Sequence, residues 1–190
     1  MAMQCISQSI PEVKLIVPDV YGDPRGFFQE TFHVERYHQA GLDVPFVQDN
    51  WSRSVAGTLR GLHYQLTRPQ AKLVWVVKGE IFDVAVDVRR GSPTFGCCVT
   101  AVLSEQNHHQ FFVPAGFAHG FCVLSPEVDF FYKCSEVYVP EDERGILWSD
   151  PALAISWPVR TPLLSKRDVG LRTLAEMKPE DLPVFKHAEN

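Results

Sequence analysis

Glu80-Ile81-Phe82-Asp83-Val84-Ala85-Val86-Asp87-Val88-Arg89-Arg90 is the stretch that decides how this chain folds. Phe82, Val84, Val86 and Val88 alternate with Ile81, Asp83, Ala85 and Asp87. Successive strand side chains point to opposite faces, so this period of two with one apolar face reads as a half-buried β-strand. Outward from it, short apolar runs recur between turn signals. Phe27-Phe28, Phe46-Val47, 59–65 and 72–78 precede it, and 97–103, 110–113, 117–124 and 128–134 follow. Joints such as Lys78-Gly79, Gly91-Ser92-Pro93 and Pro114-Ala115-Gly116 separate the runs. Many short strands at regular spacing between positions 13 and 138 predict a β-sandwich or barrel. Helix is expected only at 33–40, before Gly41, and at 171–177. Beyond Tyr138 the chain turns loop-like and carries Pro140, Pro151, Pro158 and Pro162. With no repeat, low-complexity tract or linker, residues 1–190 read as a single all-β domain with an extended C-terminal tail.

Composition narrows the function classes. The 190 residues are 45% hydrophobic and 22% charged, enough apolar material for a core without staples. Eighteen basic against 23 acidic residues give a net charge of −5, which argues against a nucleic-acid partner. A small anion remains a possible ligand, held by a local cluster of arginines. The first residues carry neither a basic region nor a long apolar core, and no apolar run is long enough to span a bilayer. Five cysteines, Cys5, Cys97, Cys98, Cys122 and Cys134, include no C-x-x-C and imply reduced, mostly packed thiols. A cytoplasmic protein without membrane contact is therefore expected.

Several positions look chemical, each with a plainer reading beside it. In Leu59-Arg60-Gly61-Leu62-His63-Tyr64-Gln65, strict alternation puts Leu59, Gly61, His63 and Gln65 on one face and Arg60, Leu62 and Tyr64 on the other. The first set suits a cavity lining, although a hydrogen-bonded core histidine explains His63 as well. Arg60 and His63 then serve one ligand only through a bulge or a site shared between protomers. Lys72 shares a face with Val74 and Val76, either snorkelling to the rim or standing inside as a cation for an anion or oxyanion. His119, on the strand after the Pro114-Ala115-Gly116 turn, reads by default as an incidental turn histidine. Tyr132 shares a face with Phe130 and Cys134, as a core tyrosine or one whose hydroxyl reaches the barrel mouth. Leu164-Ser165-Lys166-Arg167-Asp168 reads by default as an exposed charged loop.

In combination these stretches resemble the dTDP-4-dehydrorhamnose 3,5-epimerase family, built on the cupin jelly roll. The resemblance spans 10–168 and rests on ordered motifs. They are Gly22-Asp23-Pro24-Arg25-Gly26-Phe27-Phe28, Phe46-Val47-Gln48-Asp49-Asn50, the 59–65 run above, and Asp83-Val84-Ala85-Val86-Asp87-Val88-Arg89. Ser92-Pro93-Thr94-Phe95-Gly96, Pro114-Ala115-Gly116-Phe117-Ala118-His119-Gly120-Phe121, Tyr132-Lys133, Gly145-Ile146-Leu147-Trp148-Ser149-Asp150-Pro151 and the Leu-Ser-x-x-Asp element complete the set.

The resemblance implies a function and roles. The reaction would invert C3 and C5 of dTDP-4-keto-6-deoxyglucose on the way to dTDP-L-rhamnose, with no cofactor and no metal. His63 would be the general base, Asp168 the carboxylate that orients it, and Tyr132 the proton donor from the opposite face. Lys72 would stabilise the enolate, with His119 in the same pocket. Arg25, Glu30 and Arg60 match substrate-binding positions, the arginines suiting a diphosphate. Gln48 and Asn50 lie near the nucleotide, Tyr138 stacks on the base, Glu143 is a further contact and Arg167 a peripheral one. The resemblance also implies a homodimer, with Phe27 and Phe28 near a segment paired or exchanged between subunits. The alternatives are a C3- or C5-only epimerase or ketoisomerase, a metal-dependent cupin, and a non-catalytic sugar-binding cupin. Where a metal cupin carries three histidines and a glutamate, this sequence has His63, Gln65, Lys72 and His119; an ammonium in a metal's place argues against that class.

Overall fold

The computed structural model describes residues 3–186. Two antiparallel sheets form a sandwich. The six-stranded sheet runs in the order β1 (Met3–Ser7), β2 (Lys14–Pro18), β10 (Gln110–Val113), β7 (Lys72–Lys78), β12 (Glu127–Cys134) and β5 (Gln48–Val55). The five-stranded sheet runs β13 (Glu143–Gly145), β6 (Leu59–Gln65), β11 (Phe117–Val123), β8 (Glu80–Asp87) and β9 (Cys98–Ser104). A separate ribbon pairs β3 (Val20–Asp23) with β4 (Gly26–Gln29). Two helices, α1 (Val34–Gln39) and α2 (Lys166–Val169), complete the regular structure apart from single 3-10 turns. This is the all-β jelly roll expected of a cupin.

Three apolar clusters hold it together. Val74, Val76, Ile81, Ala85, Phe111, Phe121 and Phe130 fill the space between the sheets. Leu62, Tyr64, Val84, Val86 and Val88 lie on the outer face of the five-stranded sheet, beneath Ile146, Leu153, Leu174 and Leu182 from the tail. Ile16, Leu73 and Phe112 on the outer face of the other sheet pack against Tyr37 and Leu42, at α1 and just after it. The apolar face of β8 therefore looks outward under the tail, and the face carrying Asp83 looks into the sandwich. Both faces are buried, because the tail covers what would otherwise be the solvent side.

Some expected elements fall elsewhere. The strand placed at Phe46-Val47 starts only at Gln48. The helix expected at 171–177 is one 3-10 turn, Leu174–Glu176, closed by a capping box between Thr173 and Glu176. The charged stretch at 164–168 is exposed at Ser165, Lys166 and Arg167 but is not a loop: Ser165 caps α2 by accepting the Asp168 backbone N–H at 3.1 Å, and Asp168 itself is buried. All five cysteines are free thiols, with Cys97 exposed. Among the described residues no helix is long and apolar enough to cross a membrane.

Candidate active site

The open end of the sandwich encloses a cavity of about 570 Å³ with walls from both sheets. The six-stranded sheet contributes Gln48, Asn50 and Ser52 from β5, Lys72 from β7, and Tyr132 and Cys134 from β12. The register explains the grouping, since Tyr132 lies opposite both Asn50 and Val74, and Cys134 opposite both Gln48 and Lys72. From the other sheet come Arg60, His63 and Gln65 on β6, His119 on β11 and Glu143 on β13.

β6 departs from strict alternation at the point where the chemistry sits. His63 pairs with His119 and Arg60 with Phe121, so three steps along β6 match two along β11. That is a β-bulge, and it turns Arg60 and His63 to the same side while Leu62 and Tyr64 pack outward. The strict alternation expected for this run is thus corrected. The bulge brings the strands very close: a Cβ on Gly61 would stand 2.6 Å from the Gly120 Cα and 2.8 Å from the His119 carbonyl oxygen. Gly61 also has a φ of +122°, which suits glycine alone.

His63 is held between two carboxylates. Its Nε2 lies 2.6 Å from Asp168 Oδ1, and its Nδ1 lies 3.6 Å from Glu143 Oε1. Burial alone would raise the Asp168 carboxyl, but hydrogen bonds from His63 and Ser165 and the nearby charges pull it below its ordinary value. An ionised Asp168 accepts, so Nε2 donates and the Nδ1 lone pair is left for chemistry. Glu143 is fixed in turn: Tyr138 donates its hydroxyl to Oε2 at 2.7 Å, and the Arg167 guanidinium pairs with the same oxygen.

His119 forms a second imidazole–carboxylate pair, with Nε2 2.8 Å from Asp83 Oδ1 and the ring stacked 6.2 Å from Phe130. It stands in the middle of a strand and is buried, so the incidental turn residue is excluded. Lys72 faces inward, with no hydrogen-bond or ion-pair partner among the described residues. Its burial pulls the ammonium below an ordinary lysine, against the opposing pull of Cys134, Glu143 and Asp83. The Tyr132 phenol is pushed up by burial and by Cys134, and stays protonated at neutral pH.

Around the rim, Gln48 donates to Asn50 at 2.9 Å and accepts the Tyr138 backbone N–H at 2.9 Å. Gln65 makes two bonds to the Val139 backbone, and Arg60 donates to Ser54 at 3.0 Å. Arg25 and Glu30 are not brought to this cavity within one chain. Arg25 pairs with Asp23 on the exposed ribbon, and Glu30 with Arg36. Asp83 and Ser165 were not singled out by sequence. A carboxylate amid the valines of a buried strand was the available signal for Asp83; Ser165 carried none beyond the capping pattern.

A proton-accepting imidazole and a protonated phenol on opposite walls, with a bare ammonium between the sheets, suit proton exchange at carbon. That defines an isomerase on a cupin scaffold. The family model described as dTDP-4-dehydrorhamnose 3,5-epimerase matches residues 7–176, and the chain belongs to this family. A relative of that name from Shigella flexneri is 54% identical over 170 residues, covering 88% of this chain and 94% of its own. One from Neisseria gonorrhoeae is 50% identical over 181 residues, covering 95% of this chain, which spans 55% of that relative's length. A Legionella pneumophila dTDP-6-deoxy-D-glucose-3,5-epimerase, solved in complex with dTDP-4-keto-L-rhamnose, superposes with a TM-score of 0.95 at 50% identity over 98% of this chain and 100% of that one.

Proposed function

We propose that this chain inverts C3 and C5 of dTDP-4-keto-6-deoxyglucose, giving dTDP-4-keto-rhamnose for dTDP-L-rhamnose biosynthesis. The observation that carries this is the placement of His63, backed by Asp168, across one cavity from Tyr132. The 4-keto group acidifies the hydrogens on C3 and C5. His63 Nδ1 removes one of them; the C–H electron pair moves into an enolate, and the Lys72 ammonium stabilises the developing oxyanion. Tyr132 then delivers a proton to the other face of the same carbon, which inverts it. Exchange with water returns the proton to Tyr132 and takes one from His63 before the second carbon reacts.

Arg60 serves the diphosphate, Gln48 and Asn50 the nucleotide, Tyr138 the base, and Glu143, His119 and Arg167 the sugar end and its rim. Arg25 and Glu30 reach substrate in a neighbouring copy, which makes the working unit a homodimer of 1–190 domains. The setting is cytoplasmic, where nucleotide sugars are made. No metal is needed, because the Lys72 ammonium stands in the same cavity as both imidazoles, where it can meet the oxyanion and would repel a divalent ion. No cluster of three or more metal-ligating side chains occurs among the described residues.

The test is His63→Ala. Turnover should fall by about 10³-fold or more while dTDP-sugar affinity, read by calorimetry, stays within roughly threefold. Loss of affinity that matches the loss of turnover would instead support a binding module.

A further inference from the structure

Two residues whose side chains reach the C-terminal tail sit beside two whose side chains serve the cavity. Tyr64 follows His63 on β6, Arg144 follows Glu143 on β13, and Tyr64 and Arg144 stand directly opposite each other in the ladder. On the outer face both meet one residue of the tail. The Tyr64 hydroxyl donates to the Asp181 carbonyl at 2.7 Å, and Arg144 Nε donates to Asp181 Oδ1 at 3.2 Å. Asp181 thus ties the two strands through two different oxygens.

The surrounding tail is itself anchored. The Arg90 N–H donates to the Pro183 carbonyl at 2.7 Å, and the Phe185 N–H to the Arg90 carbonyl at 3.0 Å. The Arg89 guanidinium lies 4.5 Å from the Phe117 ring and 4.9 Å from the Phe185 ring. Leu182 is buried in the cluster below. β13 needs such support, because it is a three-residue edge strand paired only with β6.

We propose that Asp181 is a positioning residue that straps β13 to β6 from the outside through these two bonds, so that His63 keeps its aim. Adjacent residues on a strand share one backbone, so a shift at Tyr64 or Arg144 is a shift at His63 or Glu143. Errors of about 1 Å at a proton-transfer site cost on the order of 10²-fold in rate, so a small rocking of β13 suffices.

The test compares Tyr64→Phe and Asp181→Ala with Leu182→Val, which loosens the same tail without touching either bond. In both strap variants kcat should fall roughly tenfold, with KM within about twofold. In the substrate-free protein, the downfield proton NMR signal of His63 Nε2–H, held by Asp168, should broaden. Leu182→Val should lower the melting temperature and leave both readouts unchanged. The strap is overturned if both variants keep wild-type kcat and a sharp signal, or if Leu182→Val loses them equally. The kinetic arm rests on the proposed reaction; wild-type protein without activity would fail that reaction, and the NMR arm would still decide the strap.

Discussion

Burial pulls the Lys72 ammonium below an ordinary lysine, and it has no partner among the described residues. A lysine whose pKa is depressed on folding costs stability while it is charged. The cost is fully present below its folded pKa and fades as pH rises towards the unfolded value of about 10.4. Lys72→Met removes that cost and keeps the length of the side chain. At pH 7 the variant should melt higher, by about 2–4 °C for each kcal/mol gained, while kcat falls by about 10²–10³ for the lost oxyanion partner. Thermal unfolding and turnover on one preparation decide it; a variant that melts lower and keeps its rate would contradict this role. Single residues were only partly legible in the sequence. Lys72 could be placed on the right face, yet inward and rim-seeking orientations look alike until Cys134 and His119 are seen around it. Asp168 could not be known as buried, because its burial comes from contacts across 105 positions of chain.

At the level of elements, the close approach of β6 and β11 positions the site, and it rests on two glycines. A Cβ on Gly120 would meet the Arg60 carbonyl oxygen at 2.6 Å, and one on Gly61 would meet backbone as well. Gly61→Ala and Gly120→Ala should each cost about 1–3 kcal/mol and disturb the bulge that turns Arg60 and His63 inward. Gly22→Ala, whose nearest contact would be 3.9 Å away, should fall within about 0.5 kcal/mol of wild type. Urea midpoints measure all three, and equal midpoints would refute the account of this crossing. β6, β7 and β10 were legible to the residue, since their apolar content and flanking turns agree. β5 was not: its inward residues Gln48, Asn50 and Ser52 line the cavity, so the apolar alternation that marks a strand is missing. The bulge in β6 was legible only as one of two ways for Arg60 and His63 to serve one ligand, because one extra residue inverts every later face without altering composition.

For the molecule as a whole, the two sheets and the tail leave the β3–β4 ribbon uncovered, with Tyr21, Phe27 and Phe28 at 47%, 64% and 58% exposure. So much aromatic surface beside Arg25 fits a second copy, and light scattering should give twice the 21.5 kDa of one chain. A Phe27→Asp, Phe28→Asp variant should be monomeric and bind the dTDP-sugar more weakly. A monomeric wild type would remove the route proposed for Arg25 and Glu30 to reach substrate. The whole-molecule reading came from many motifs in order rather than from any one, and the covering role of the tail could not be read because prolines and short turns carry no periodicity. The central claim is two-base inversion at both carbons flanking a ketone. It is tested most directly by proton NMR of dTDP-4-keto-6-deoxyglucose with the protein in D2O containing EDTA. Deuterium entering at both C3 and C5, and lost in His63→Ala, is the predicted result; exchange at one carbon, at neither, or only after metal is restored would contradict it.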